Sequence, residues 1–222
     1  MLPTRPIGGA SSPPAREVSE RRSPCWQCLA QAPAFDATLA LADYRYPLDS
    51  LVLALKFEGK LSIAAEFGRR LAERWRAAQA PLSQSSAAAT VDPREAAPQL
   101  VLPVPLGAAR LVERGYNQSW AIARTFARHA GLPSSARLLE RRRETPSQMR
   151  ATASERRANM HGAFAVGGGS ACSRLRGAHL IVVDDVMTTG ATLHAIAETL
   201  KQAGAARVSN VVALRTPLTP PY

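Results

Sequence analysis

Apolar residues alternate along this chain between short continuous runs and runs at helical spacing, which predicts strands followed by helices. Continuous apolar runs predict strands at 39–44, 100–104, 180–183 and 208–214, with a weaker strand at 138–140. Helical spacing predicts helices on the apolar positions Leu48, Leu51, Val52 and Leu55, then Leu61, Ala64, Ala65, Gly68, Leu71 and Trp75, then Trp120, Ala123, Phe126, Ala127 and Ala130, then Leu193, Ile196, Ala197 and Leu200. This alternation predicts an α/β protein with a doubly wound, mainly parallel sheet.

Composition divides the chain into a main domain and peripheral segments. We expect a disordered tail at 1–23, a short cysteine-containing appendage at 24–36, a main domain at 37–216 with a low-complexity insertion at 77–97, and a tail at 217–222. The first segment has no apolar core of the kind that secretory signals carry. No apolar run approaches the roughly 20 residues that a membrane-spanning helix needs. A cytoplasmic protein is therefore the expectation.

The most informative stretch is 180–192, LIVVDDVMTTGAT. Asp184 and Asp185 follow a buried strand, and open α/β sheets bind their ligands at that end of the strands. Residues 188–192 then form a loop in which Gly190 allows close backbone approach and a helix begins. A phosphate site beside two carboxylates suits a ribose 5-phosphate, bound through a diol or a diol with a divalent metal. The alternative is an ordinary strand–turn–helix unit in which the aspartates cap the helix.

The whole stretch resembles the 5-phosphoribosyl-1-pyrophosphate (PRPP) signature of the type I phosphoribosyltransferases. The resemblance implies that PRPP or a ribose 5-phosphate contacts Asp184, Asp185, Met187, Thr188, Thr189, Gly190, Ala191 and Thr192. It also implies Mg²⁺ near Asp184 and Asp185, held partly through water, since magnesium uses few protein ligands. Purine-salvage relatives carry an aspartate where this chain has Thr188. A hydroxyl is no general base near neutral pH, so transfer to hypoxanthine or guanine is not expected.

Three further segments resemble the ComF/GntX family, the competence protein F-like proteins linked to DNA uptake and natural transformation. They read Leu55-Lys56-Phe57-x-Gly59-Lys60, Pro103-Val104-Pro105-Leu106 with Arg114-Gly115-Tyr116-Asn117-Gln118, and Arg143-x-Thr145-x-x-Gln148 with Arg157-x-Asn159-x-x-Gly162-x-Phe164. The resemblance implies a pyrophosphate loop and a closing flap formed by Pro105, Arg114, Gly115, Asn117, Gln118, Arg143, Gln148, Arg157 and Asn159. The alternative for these arginines is a solvated surface.

The N-terminal cysteines depart from the family pattern. Cys25 and Cys28 have zinc-knuckle spacing, but no second pair precedes them, and a closed structural zinc site needs four ligands. Zn²⁺ is therefore doubtful, and a degenerate remnant with inert thiols is the alternative.

The formal net charge of +11 favours polyanionic partners, although an arginine-rich genome would produce the same bias. Two functions follow. The first is a PRPP-dependent pentosyl transferase linked to DNA uptake, whose acceptor the sequence does not specify. The second is a non-catalytic module that senses PRPP and binds single-stranded DNA through the arginine clusters 141–143 and 156–157. Neither turnover of PRPP nor the oligomeric state follows from the sequence.

Overall fold

The computed structural model describes residues 28–29, 32–79, 98–143, 162–167 and 175–217. The chain separates into two units, Met1–Ala32 and Pro33–Tyr222. The second unit contains, in chain order, β1 (Ala37–Asp43), α1 (Leu48–Phe57), α2 (Leu61–Gln79), β2 (Pro98–Pro103), α3 (Ala108–Arg114), α4 (Gln118–Ala130), β3 (Leu139–Arg141), β4 (Phe164–Val166), β5 (His179–Met187), α5 (Ala191–Gln202) and β6 (Arg207–Arg215). None of the helices in this described part is long and apolar enough to cross a membrane.

Four of these strands form one parallel sheet in the order β1-β6-β5-β2, which confirms the predicted α/β class. β5 lies inside the sheet between β6 and β2. Nine apolar side chains of β5 and β6 are fully buried: Leu180, Ile181, Val182, Val183, Val208, Val211, Val212, Ala213 and Leu214. Parallel strands buried on both faces are rich in β-branched and aliphatic residues, as these are. Both interior strands end at the edge where the aspartates lie.

Helices cover both faces of the sheet. Ile181 and Val183 of β5 face one apolar cluster with α1, α2 and α4, whereas Leu180 and Val182 face another with α5 and the β3–β4 ribbon. Successive side chains of a strand point to opposite faces, so these alternate residues supply both cores.

The closest helix contact in this fold is between α2 and α4. A Cβ atom built on Gly68 would lie 2.7 Å from Thr125 Cβ and 2.8 Å from the carbonyl oxygen of Ile122. Only glycine permits this approach, because the obstructing atoms include main-chain atoms that cannot move aside. α4 ends as predicted at Gly131, whose φ of 71° is left-handed.

Three sequence predictions need correction. The strand predicted near 138–140 lies at 139–141. It pairs antiparallel with β4, a strand that was not predicted, and the two form a separate ribbon. Among the described residues, β4 is the only strand to which β3 is hydrogen-bonded. In α1 the side chain of Leu51 is exposed. In α2 the buried face contains Phe67, while Leu61 and Ala65 are exposed, since the helix turns Ala64, Gly68 and Leu71 inward.

Several predictions fall wholly or largely outside the described residues. These are the tail at 1–23, Cys25, the greater part of the insertion at 77–97, the flap residues between 144 and 161, and the last residues of the tail at 217–222. The insertion begins later than expected, since α2 continues to Gln79.

Candidate functional site

A pocket lies at the carboxyl end of β5, where the strand passes into the loop and α5. β5 extends two residues beyond the aspartates, to Met187, and α5 begins at Ala191. The cavity encloses about 90 Å³, and its lining consists of Asp184, Val186, Met187, Thr188, Thr189, Gly190, Ala191, Thr192 and Leu193. A water needs roughly 10–15 Å³ of such space, so the cavity has room for a group the size of a phosphate.

The loop offers several hydrogen-bond donors to an anion in this pocket. The hydroxyl groups of Thr188, Thr189 and Thr192 have no hydrogen-bond partner within the described part of the chain. The first intrahelical bond runs from the His194 amide to the Gly190 carbonyl, so the amides of the preceding turn are left without a helical acceptor. These amides and the positive end of the α5 dipole favour bound negative charge.

Gly190 gives the loop its shape. Its φ of 77° is left-handed, and a Cβ atom there would lie 2.7 Å from Cε of Met187 and 3.8 Å from the ring of Phe35. A side chain at this position would therefore meet the protein interior as well as straining the backbone. From the sequence, Gly190 was expected to allow close approach of a ligand. The structure adds a second reason for glycine here, which is the contact that a side chain would make with Met187.

Asp184 faces the pocket and is held from two sides. Its Oδ1 atom accepts a hydrogen bond of 2.8 Å from the Ser119 hydroxyl and one of 2.9 Å from the Asp185 amide. Burial and then the neighbouring Asp185 carboxylate raise the pKa of Asp184 to about 8, against the lowering effect of the Ser119 bond. A cation in the pocket would favour the charged form of this carboxyl group.

Asp185 lies on the other side of the strand and is absent from the pocket lining. Its side chain is 5% exposed, and Lys56 Nζ lies 2.7 Å from its Oδ2 atom. Because Asp185 Oδ2 has no hydrogen-bond partner among the described residues, its contact with Lys56 is an ion pair. Lys56 was absent from the candidate site residues, although the motif around it was among the segments that carry the family resemblance.

The segment 114–119 connects the Lys56 helix to the pocket. The Tyr116 hydroxyl donates a hydrogen bond to the main-chain carbonyl of Leu55, and the Arg114 guanidinium lies 5.2 Å from the centre of the Phe57 ring. Three segments separated by many residues therefore meet at one edge of the sheet. We call this meeting point the Lys56 corner, formed by residues 55–57, 114–119 and 184–185.

The predicted pyrophosphate residues occupy varied environments. Pro105 and Gln118 are buried, Arg114 is half-buried, and Gly115 and Arg143 are exposed. The Asn117 side chain donates to the Val104 carbonyl and accepts from the Trp120 amide, which makes it the N-cap of α4. The remaining flap candidates, Gln148, Arg157 and Asn159, lie outside the described residues. The assignment of all these residues to pyrophosphate stays a prediction.

The structure describes part of each of the two candidate metal sites, the Mg²⁺ site near Asp184 and the Zn²⁺ site at Cys25 and Cys28. The pocket-facing carboxylate of Asp184 is the kind of oxygen ligand that Mg²⁺ takes together with water and substrate phosphates. No group of three or more His, Cys, Asp and Glu side chains gathers into a metal site in the described ranges. Cys28 is half-buried, and Cys25, its proposed zinc partner, is not described.

Comparison with known proteins confirms the family resemblance and the fold class. Residues 116–219 match the phosphoribosyl transferase domain family. The matched family and the parallel sheet define a protein with a phosphoribosyltransferase domain. DNA utilization protein YhgH of Salmonella typhi is 31% identical over 185 residues, which cover 83% of this chain and 74% of that protein. The chain belongs to the ComF-like family of phosphoribosyltransferase-domain proteins.

Two further proteins are similar to this chain. Competence protein F of Haemophilus influenzae is 29% identical over 180 residues, covering 81% of this chain and 73% of that protein. Among solved structures, the glutamine PRPP amidotransferase from B. subtilis matches with 19% identity and a TM-score of 0.39, over 67% of this chain and 25% of that one.

Proposed function

We propose that this protein binds PRPP with Mg²⁺ at residues 184–192 and transfers the phosphoribosyl group to an acceptor that is still to be identified. One observation carries the proposal: a phosphate-sized cavity directly adjoins a carboxylate and is lined by a helix N-terminus and by threonine hydroxyls that have no partner among the described residues. Ribose 5-phosphates carry a phosphate that suits the cavity and a diol that suits the carboxylate.

The pocket residues have distinct tasks in this proposal. The loop 188–192 binds the 5-phosphate, and Asp184 accepts hydrogen bonds from the ribose hydroxyls or holds the metal through water. Bound Mg²⁺ supplies positive charge that neutralises the departing pyrophosphate. The residues of the chain itself bind and orient PRPP, and Arg114 is a half-buried cation that follows the predicted pyrophosphate loop. Transfer from PRPP builds positive charge on the ribose, so pre-positioned polar groups are the main requirement.

The biological role that we propose is in DNA use or uptake. Support comes from the relatives, which are named DNA utilization protein and competence protein F. The alternative of a PRPP-sensing module that binds single-stranded DNA has no specific observation in its favour. Of its two arginine clusters, 156–157 is outside the described residues, and in the other Arg141 lies 5.6 Å from the Phe164 ring.

Isothermal titration calorimetry with PRPP and Mg²⁺ tests the binding proposal. We expect wild-type protein to bind PRPP in a Mg²⁺-dependent manner, and Asp184→Asn to bind at least about tenfold more weakly, the loss expected for one charge-assisted contact. Asp43→Asn is the matched control, since Asp43 ends β1 as an exposed residue paired with Arg45. Equal affinity in the wild type and Asp184→Asn would contradict the assignment. A screen for pyrophosphate release with nucleobases and amines then tests transfer.

A further inference from the structure

A short segment that precedes β1 lies against the loop 188–192. We call residues 33–36 the strap. The Ala34 amide donates a hydrogen bond of 3.0 Å to Nδ1 of His194 in the first turn of α5. The ring of the half-buried Phe35 lies 3.8 Å from the position of a Cβ atom on Gly190. The His194 amide in turn donates to the Gly190 carbonyl at 2.8 Å. These four residues therefore form a closed circuit of contacts between the strap and the loop.

The other end of the strap is fixed independently of His194. The Asp36 amide donates to the Val208 carbonyl at 2.8 Å, and Asp36 Oδ2 accepts a bond of 2.8 Å from the Val208 amide. Asp36 Oδ1 also accepts a bond of 2.9 Å from Lys201 near the end of α5. Loss of the Ala34 bond would therefore leave the strap attached to β6 and would free the end that carries Phe35.

The Ala34 bond requires the neutral form of His194. Nδ1 accepts a hydrogen bond only when it carries no proton, and the single proton of the neutral ring then lies on Nε2. Nε2 is 3.4 Å from Oε1 of Glu198, one turn further along α5. An imidazolium has a proton on both nitrogens, so the Ala34 amide would face a second donor. Imidazole is the side-chain group that ordinarily changes its charge between about pH 5 and 8.

Glu198 is the charged partner of this ring, since its carboxylate lies within 4 Å of Nε2. The strap, α5 and the strands β4 and β6 packed against α5 carry four other charged residues in their described parts: Asp36, Lys201, Arg207 and Arg215. Asp36 and Lys201 pair with each other, and the two arginines stand at the ends of β6. Because Glu198 faces Nε2, which has a proton in both forms of the ring, it does not replace the acceptor that Ala34 loses.

We propose that His194 is a positioning residue of the PRPP site and a pH-sensitive latch: its neutral ring holds the strap, and with it Phe35, against Gly190, and protonation releases them. The packed ring restricts the left-handed turn at Gly190, so the loop needs less ordering when it binds a phosphate. Release of the strap removes that restriction, and PRPP affinity falls as the pH falls through the range of imidazole. The proposal rests on the proposed function, since it concerns regulation of the same site.

Four variants test the latch: His194→Asn, His194→Leu, Phe35→Leu and the double variant Phe35→Leu/His194→Leu. Asparagine carries an oxygen where histidine has Nδ1, so it keeps the acceptor for Ala34 but does not titrate. Leucine fills the space without an acceptor. His129→Asn is the matched control, because His129 is an exposed histidine in the last turn of another helix, α4. Calorimetry gives the Kd for PRPP with Mg²⁺ at about pH 7.5 and about pH 5.5, on either side of the ordinary range of histidine.

On lowering the pH, we expect the Kd of the wild type to rise about threefold to tenfold more than that of His194→Asn, the range that one hydrogen bond supports. Ionisation of PRPP and of Asp184 affects both proteins and does not produce this difference. His194→Leu should bind PRPP more weakly than the wild type by the same factor already at the higher pH. The double variant should bind about as weakly as either single leucine variant, because both remove the same support. His129→Asn should follow the wild type.

Amide hydrogen exchange at Ala34 in the ligand-free protein reports the latch without PRPP. At the higher pH the amide should exchange at a similar rate in the wild type and His194→Asn, and faster in His194→Leu. At the lower pH the wild type should lose its protection relative to His194→Asn, because its ring no longer accepts the bond.

Two results would overturn the proposal. If the Kd of the wild type and of His194→Asn change in parallel with pH, then protonation of His194 does not control the loop. If His194→Leu exchanges Ala34 rapidly but binds PRPP with the wild-type Kd at the higher pH, then the strap positions nothing. Failure of the proposed function looks different: the wild type would not bind PRPP at either pH, while exchange at Ala34 would still depend on the protonation of His194.

Discussion

The loop 188–192 and the Lys56 corner both lie at the carboxyl end of β5, but they are assembled in opposite ways. The loop consists of consecutive residues, 188–192, whose hydroxyls, amides and one left-handed glycine form the proposed anion site locally. The corner brings together residues from three distant segments through one ion pair, one hydroxyl–carbonyl bond, one hydroxyl–carboxylate bond and one cation–ring contact. The loop takes its shape from neighbouring residues, whereas the corner depends on contacts between segments that are far apart in the sequence.

The largest effect that we predict at this strand end is a pH dependence of stability that comes from Asp184. The pKa of Asp184 is raised from 3.8 to about 8 in the folded protein. Between these values the folded state holds a proton that the unfolded state has lost, so this group's contribution to stability is complete below pH 4 and disappears as the pH rises through about 8. Asparagine does not titrate, and Asp184→Asn should lack this component.

Urea unfolding of the wild type and Asp184→Asn, without ligand, measures this component. Between about pH 5.5 and 7.5 we expect the free energy of unfolding of the wild type to fall by about 2 kcal/mol relative to the variant. Titrating groups that do not interact with Asp184 cancel in that difference. Parallel curves for the two proteins across this range would show that Asp184 is ionised in the folded state throughout.

The next effect isolates the loop. Gly190→Ala places a Cβ atom on a left-handed residue, which costs about 1–2 kcal/mol of stability, and it displaces the Met187 methyl group at 2.7 Å. Gly131→Ala is the matched control, with a φ of 71° and no atom within 4 Å of the added carbon. Both variants should lose similar stability in urea unfolding, but only Gly190→Ala should also weaken PRPP binding. Equal losses of affinity in both would show that the loop has no special role.

The contrast between the two regions also explains what could be predicted from the sequence. The loop was predictable because strand, acids, glycine and helix start follow one another within 180–192. The parallel sheet was predictable from its apolar runs. The ion pair of Lys56 with Asp185 was not, since no local pattern says that a helix ending at Phe57 meets a strand more than a hundred residues later. The one available signal was the motif around Lys56, which lacked a role until the fold brought it to the strand end.

The two-stranded ribbon illustrates the same limit at the level of the fold. Its strands have three residues each, and the β3–β4 pairing joins residues 139–141 with 164–166 across a stretch that contains no apolar period. Short strands give little alternation to recognise, so β3 was predicted only as a weak strand and β4 was not predicted. Burial of Leu139 and Phe164 against the α5 side of the core is what stabilises the ribbon.

The smallest effect tests the corner through a single hydrogen bond. Tyr116→Phe removes the hydroxyl that donates to the Leu55 carbonyl while it keeps the ring in its half-buried place. We expect a loss of about 1 kcal/mol in the free energy of unfolding, the usual contribution of one such bond. Tyr44→Phe is the matched control, because the half-buried Tyr44 packs on the same core and its hydroxyl has no partner among the described residues. Because Leu55 adjoins Lys56, Tyr116→Phe should also weaken PRPP binding slightly, by about twofold to fivefold, whereas Tyr44→Phe should not. A Tyr116→Phe variant as stable as the control would mean that the α1 end is held by the ion pair and the Arg114–Phe57 contact alone.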